Sequence, residues 1–176
     1  SAAAFALGAG ARFIARGVDT IQKKLPDIFV RAHAHRGTSF VEIFQNCIVY
    51  NDGVFSNFTD KGVAANCQIH LEHGKPMTFG SDGQLGLRIA AGKLAFEVVT
   101  IGQNGVTESD IVVHDETDRI MAHMLADMQG TDLPVALGVL YCDPMPSYEA
   151  GIRGLAARAG EQATIRDLNE LLRSGL

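Results

Sequence analysis

Several features that would place this chain in a functional class are missing from it. Its longest apolar stretches, such as LPVALGVLY, are too short to span a bilayer. Its first residues lack the basic segment of a signal peptide. The formal net charge of −5 provides no electrostatic footprint for nucleic acid or anionic lipid. We therefore expect a protein with no nucleic-acid partner and no membrane partner.

Cysteine is also scarce, and the motifs of common catalytic sites are absent. The three cysteines, Cys47, Cys67 and Cys142, lie far apart in the sequence. An odd number at such spacing argues against a disulfide scaffold and favours a reducing compartment, so we expect the cytoplasm. No CxxC or HExxH pair, Walker motif or nucleophile elbow occurs. From its residues alone, the chain is a soluble α/β domain without an assignable activity.

What the chain does contain is an alternation of helix and strand patterns. An apolar strand at residues 11–16 precedes a helix at 20–36, for which Asp19 and Thr20 offer N-caps and which Pro26 should interrupt. The run TSFVEIFQNC, residues 38–47, follows as a strand rich in Val, Ile and Phe. This order of strand, helix and strand is a βαβ unit, which implies a parallel sheet.

The rest of the chain divides into an irregular middle and a regular end. Residues at about 51–107 carry many glycine turns between short alternating stretches, which indicates loops and one or two hairpins. Asp118 should cap a helix that ends at Gly130, LPVALGVLYCD forms a second buried strand, and helices follow. We predict a single α/β unit over residues 1–176, with a mostly parallel sheet, flanking helices and a β-rich insertion.

Two groups of residues are candidates for chemistry. Cys47 follows a predicted parallel strand, where the ligands of open α/β sheets collect. Its thiol could be a nucleophile, a metal ligand or an inert buried group, and Cys142 also follows a strand. His114 with Asp115 and Glu116 could form a dyad for proton transfer, or the carboxylates could only cap the following helix.

The strand-and-cysteine motif resembles one known family. The run HRGTSFVEIFQNCIVYNDGVF, residues 35–55, looks like the β subunit of the 2-oxoacid:ferredoxin oxidoreductases, especially the 2-oxoglutarate type. The segments AFALGAGARFIAR, LEHGKPMTFG, VVHDE, LPVALGVLY with PSYEA, and DLNELLRSG are similar to family segments in the same order. The resemblance spans essentially the full chain and implies part of a thiamin-diphosphate-binding fold.

The resemblance also implies an activity, cofactors and partners. Enzymes of this family use thiamin diphosphate and Mg²⁺ to decarboxylate a 2-oxoacid oxidatively and to form an acyl-CoA. The electrons leave through a 4Fe–4S cluster to ferredoxin. The expected partners are therefore an α subunit in a hetero-oligomer, ferredoxin, the 2-oxoacid and CoA. By its place in the motif, Cys47 corresponds to the fourth ligand of the cluster.

Other site motifs of the family do not occur in this sequence. In the family, a Gly-Asp-Gly and three cluster cysteines precede the region that this chain matches. We therefore expect a carboxyl-terminal half of a β subunit that is inactive alone and binds neither the cluster nor thiamin diphosphate stably. The alternatives are a non-catalytic assembly module of the same fold and one half of a split subunit. Asn51 and Asp52 could orient the Cys47 loop, bridge to the other half, or only form a turn.

Overall fold

The computed structural model describes residues 1–128, 132–162 and 168–173, which fall into two compact units. The first unit, Ser1–Pro144, is an α/β body. The second, Met145–Leu176, contains two helices among its described residues. The organisation of residues 1–176 as a single α/β unit stays a prediction.

The α/β body contains the following helices and strands. They are α1 (Ala2–Gly8), β1 (Phe13–Val18), α2 (Leu25–Ala34), β2 (Ser39–Phe44), α3 (Ser56–Thr59), α4 (Ala64–Cys67), β3 (Gln68–His70), β4 (Thr78–Phe79), β5 (Leu85–Ile89), β6 (Phe96–Thr100), α5 (Arg119–Ala126) and β7 (Val135–Cys142). Short 3-10 turns at Gln22–Lys24 and Glu108–Asp110 complete the assignment. The helical unit contributes α6 (Tyr148–Gln162) and α7 (Leu168–Arg173).

The main sheet has the strand order β2-β1-β7-β3. β1 pairs with β2 in parallel through the crossover helix α2, so the predicted βαβ unit is confirmed. β7 is almost fully buried, as its apolar sequence predicts, and it pairs in parallel with β3 but antiparallel with β1. The sheet is therefore mostly parallel with flanking helices, in agreement with the predicted fold class.

Pro26 lies at the start of a helix rather than in the middle of one. The predicted helix at 20–36 is divided into the 3-10 turn Gln22–Lys24 and α2, and the proline occupies the first turn of α2. A proline is tolerated there because its missing N–H would have no intrahelical partner. The predicted N-caps at Asp19 and Thr20 are wrong, because neither segment has a side-chain cap and the Asp19 carboxylate accepts from the N–H of Asn46 instead.

The glycine-rich middle contains a small sheet of its own, in which β4, β5 and β6 pair antiparallel. One segment of the predicted insertion, β3, belongs to the main sheet instead. β3 pairs with β7, and its Ile69 side chain is fully buried. The short alternation QIHLEH does not predict this pairing. A strand of three residues is too short to indicate which other strand it will pair with, and here that strand, β7, is distant in the sequence.

Helices cover both faces of the main sheet. Ile14 of β1 packs in one hydrophobic cluster with Leu7 of α1 and Leu125 of α5. Its neighbour Phe13 points to the opposite face and packs with Ile28 of α2. Each such apolar side chain, when fully buried, stabilises the fold by about 1.5–3 kcal/mol. The layered core therefore fixes the ends of β1 and β2, where the candidate site lies.

The ends of α5 follow from local sequence. The Asp118 carboxylate accepts hydrogen bonds from the N–H groups of Ile120 and Met121, so the predicted N-cap is confirmed. α5 ends at Ala126, and Gly130, predicted to end it, lies outside the described residues.

None of the helices within the described ranges is both long and apolar enough to cross a bilayer.

Candidate functional site

The candidate site is the turn that carries Cys47, just beyond the end of β2. β2 ends at Phe44 because its ladder partner β1 ends at Val18, so the strand is shorter than the predicted 38–47. The chain then turns, and the N–H of Asn51 donates to the carbonyl oxygen of Cys47 over 2.9 Å. Cys47 is a free, exposed cysteine. Within this chain, the thiol is therefore not buried.

Asn46 closes this turn with both its side chain and its backbone. Its Nδ2 donates to Asp52 Oδ1 over 2.9 Å, and its Oδ1 accepts from the N–H of Gly53 over 2.8 Å. Its backbone N–H donates to Asp19 Oδ2 over 3.1 Å. Gly53 has a φ of 71°, which favours glycine and lets the chain leave the turn. Asp52 thus orients the Cys47 loop through its side chain, whereas Asn51 contributes a backbone hydrogen bond.

Backbone N–H groups also influence the sulfur itself. Hydrogen bonding from the N–H groups of Tyr50 and Val49, and more weakly from Asn51, lowers the pKa of the Cys47 thiol below its ordinary value. Such hydrogen bonds favour the thiolate because they stabilise its negative charge. The thiolate is the form of cysteine that binds metals and attacks electrophiles. The turn therefore presents Cys47 to solvent in an environment that favours its reactive form.

Three consecutive large apolar residues follow Cys47 in the sequence, and their side chains face solvent. Ile48, Val49 and Tyr50 are 78%, 75% and 91% exposed. A folded domain gains nothing by exposing such a run, and contiguous exposed apolar surface marks interaction sites. We name residues 47–50 the Cys47 patch. The patch combines three exposed apolar side chains, which are typical of a contact surface, with one exposed thiol.

The other two cysteines occupy different settings. Cys67 ends α4 and is partly buried against the cluster that contains Phe58. Cys142 ends β7, where burial raises the pKa of its thiol despite the neighbouring Arg31. Among residues 1–128, 132–162 and 168–173, no three His, Cys, Asp or Glu side chains are grouped as a metal site.

The candidate dyad at His114 is not assembled. The His114 imidazole is buried, and its Nε2 lies 3.0 Å from the carbonyl oxygen of Val139. Asp115 accepts from the backbone and hydroxyl of Thr117, and Glu116 accepts from Arg31 over 2.7 Å. These contacts hold a turn and connect it to α2, and neither carboxylate caps α5, whose N-cap is Asp118.

Sequence reasoning missed one cavity and one residue. The cavity, of about 330 Å³, lies between α2 and the strands β3 and β7 and is lined by Lys24, His70 and Glu72 among others. His70 is exposed at the rim of this cavity, where partial desolvation and the nearby Lys24 lower its pKa to about 4. The missed residue is Asn46, whose position beside Cys47 in QNCIVYND was the available signal.

Comparisons with known proteins agree with the resemblance seen in the sequence. No family model matches the chain. The chain is 31% identical over 172 residues to the 2-oxoglutarate oxidoreductase subunit KorB of Mycobacterium tuberculosis strain ATCC 25618 / H37Rv, covering 95% of this chain and 45% of that protein. Its fold is similar to a chain of 2-oxoglutarate:ferredoxin oxidoreductase from Magnetococcus marinus, solved with 2-oxoglutarate, coenzyme A and succinyl-CoA bound. The TM-score is 0.56 at 16% identity, covering 98% of this chain and 43% of that one. This chain thus spans less than half the length of either relative.

Proposed function

Because this chain is a relative of a 2-oxoglutarate oxidoreductase subunit over 95% of its length, we propose that it supplies one thiolate, Cys47, to a 4Fe–4S cluster. The enzyme would be a 2-oxoacid:ferredoxin oxidoreductase, with 2-oxoglutarate as the favoured 2-oxoacid and the chain as part of its β subunit. The observation that carries the proposal is the exposed Cys47 thiol, in a turn whose backbone N–H groups favour the thiolate.

The donor chemistry of the turn fits one corner of such a cluster. Iron in these clusters is bound by cysteine thiolates, and hydrogen bonds to the sulfur tune the potential. Cys47 offers the thiolate, an accessible sulfur and nearby N–H donors. A 4Fe–4S cluster takes four thiolates, so the remaining ligands would come from another part of the complete enzyme.

The Cys47 patch supports a closed cluster site rather than an open one. Ile48, Val49 and Tyr50 would be covered by the segment that brings the other thiolates, which would remove both the apolar surface and the cluster from water. Alone, the chain would hold neither the cluster nor thiamin diphosphate with Mg²⁺. Among its described residues we assign none to the diphosphate. We place the complete enzyme in the cytoplasm as a hetero-oligomer with an α subunit.

In the complete enzyme, bound thiamin diphosphate would supply the electron sink for decarboxylation of the 2-oxoacid, and the cluster would supply a path for electrons to ferredoxin, with CoA as the acyl acceptor. The part of this chain is to hold Cys47 at the end of the β1–β2 ladder. Asp19 and Asn46 connect the turn to that ladder, and the Cys47 patch excludes water around the sulfur once it is covered.

The test is to replace Cys47 in the complete enzyme. We expect C47A to lose the cluster's visible absorbance, to lower the iron content, and to abolish ferredoxin reduction. C142A is the matched control, because that cysteine also follows a strand but is partly buried. Retention of full iron content and ferredoxin reduction by C47A would disprove the ligand assignment. It would favour a non-catalytic assembly module, or a split subunit with its cluster elsewhere.

A further inference from the structure

Asn46 makes more directed contacts than its exposed position requires. Three of its polar groups are engaged: Nδ2 with Asp52, Oδ1 with the N–H of Gly53, and the backbone N–H with Asp19. The three distances lie between 2.8 and 3.1 Å, which is the ordinary range for strong N–H···O hydrogen bonds. One asparagine therefore closes residues 46–53 into a ring with its own side chain.

The ring is attached to the rigid part of the fold. The N–H of Asp19 continues the β1–β2 pairing by donating to the carbonyl oxygen of Phe44 over 3.1 Å. Its carboxylate then accepts from the N–H of Asn46, beyond the last ladder residue. The position of the turn thus follows from the sheet, and its internal shape follows from Asn46. Cys47 lies between the two constraints.

We propose that Asn46 is a positioning residue, which holds the Cys47 turn in the shape required for metal ligation before the rest of the cluster site is assembled. The inference rests on the proposed function of Cys47. A ligand on a free loop would lose conformational freedom at the moment of binding, and a turn already closed by side-chain hydrogen bonds avoids that loss.

The experiment exchanges the donor and acceptor of the Asn46–Asp52 hydrogen bond. N46A removes both side-chain bonds, and N46D places a second carboxylate against Asp52. The double variant N46D/D52N restores one donor facing one acceptor and retains the acceptor for the Gly53 N–H. N57A is the control, since Asn57 is an exposed asparagine in the same region. Thermal melting of each variant checks that the body of the protein stays folded.

The first measurement is amide hydrogen exchange of Asn51 and Gly53 in the 176-residue chain without a cluster. We expect exchange to become about thirtyfold faster in N46A, which loses two side-chain hydrogen bonds, and about fivefold faster in N46D, which loses one, at roughly 1 kcal/mol for each bond. The double variant should return to the original rate. Unchanged exchange in N46A would overturn the proposal, since the turn would then be rigid without its side chain.

The second measurement is made in the complete enzyme, on the cluster rather than on turnover. We expect N46A and N46D to change the electron paramagnetic resonance spectrum and midpoint potential of the reduced cluster, with rescue in N46D/D52N and no change in N57A. If C47A removes the cluster while N46A leaves its spectrum and potential unchanged, the positioning role is wrong and the ligand assignment stands. If C47A leaves the cluster intact, the proposed function fails, whatever the exchange rates show.

Discussion

Removal of the buried Arg16 side chain should strongly destabilise the fold. Arg16 is fully buried in β1, and its Nε donates to Glu42 Oε2 over 2.8 Å. Its Nη2 donates to the carbonyl oxygen of Ala126 over 3.1 Å, and its guanidinium lies 5.3 Å from the ring centroid of Phe44. One side chain thus connects β1, β2 and the end of α5.

The size of the effect follows from what would remain after the change. R16M keeps most of the apolar stem but leaves the Glu42 carboxylate without its cation, and breaking a buried pair in this way costs about 3–5 kcal/mol. The Glu42 side chain is 18% exposed, so water can partly solvate it. We therefore expect a loss of about 3 kcal/mol, near the lower end of that range.

A double-mutant cycle separates the ion pair from the packing. E42Q should also destabilise, because it leaves the guanidinium buried without a charged partner. R16M/E42Q should be more stable than the sum of the single effects predicts, by about 1–3 kcal/mol, because no unpaired charge remains.

The assay is urea unfolding at neutral pH, followed by circular dichroism. A loss of about 3 kcal/mol would lower the urea midpoint by about 1–3 M for slopes of about 1–3 kcal/mol per M. A loss below about 1 kcal/mol in R16M, or strictly additive single effects, would refute the reasoning, because the pair would then be worth no more than a surface ion pair.

Two further perturbations test the fold around the site. G138A should destabilise by about 1–3 kcal/mol, because Gly138 has a φ of 108° and an added Cβ would lie 3.0 Å from the carbonyl oxygen of Leu71; chemical denaturation measures this, and a neutral effect would contradict the backbone geometry. His70 should make stability depend modestly on pH, because desolvation in the cavity and Lys24 lower its pKa from 6.5 to about 4, while solvent at its exposed side chain screens the effect. The contribution is present above pH 6.5 and is lost as the pH falls toward 4, since the unfolded chain binds the proton more tightly. H70N should flatten the denaturation midpoint against pH in that window, and an equally steep profile in H70N would exclude His70 as the cause.

Local patterns predicted the elements whose signals lie within one segment. The apolar runs of β1 and β7 predicted buried strands. Pro26 predicted an interruption of the helix at 20–36, and a 3-10 turn and α2 replace that helix. Asp118 capped α5 because an N-cap depends on residues that are near neighbours in the chain. The motif around Cys47 carried the family resemblance for the same reason, since it is a short contiguous stretch.

The sequence by itself therefore determined the α/β class and the βαβ unit, and its motif around Cys47 identified that residue as the candidate ligand. Only the tertiary structure decided that β3 joins the main sheet, that Arg16 is buried against Glu42, and that Asp19 holds Asn46. Each of these contacts joins side chains or strands that are distant in sequence, so it depends on how packed elements bring their ends together. A pattern of residue types encodes local conformation directly, whereas contacts between distant segments form only when the core packs.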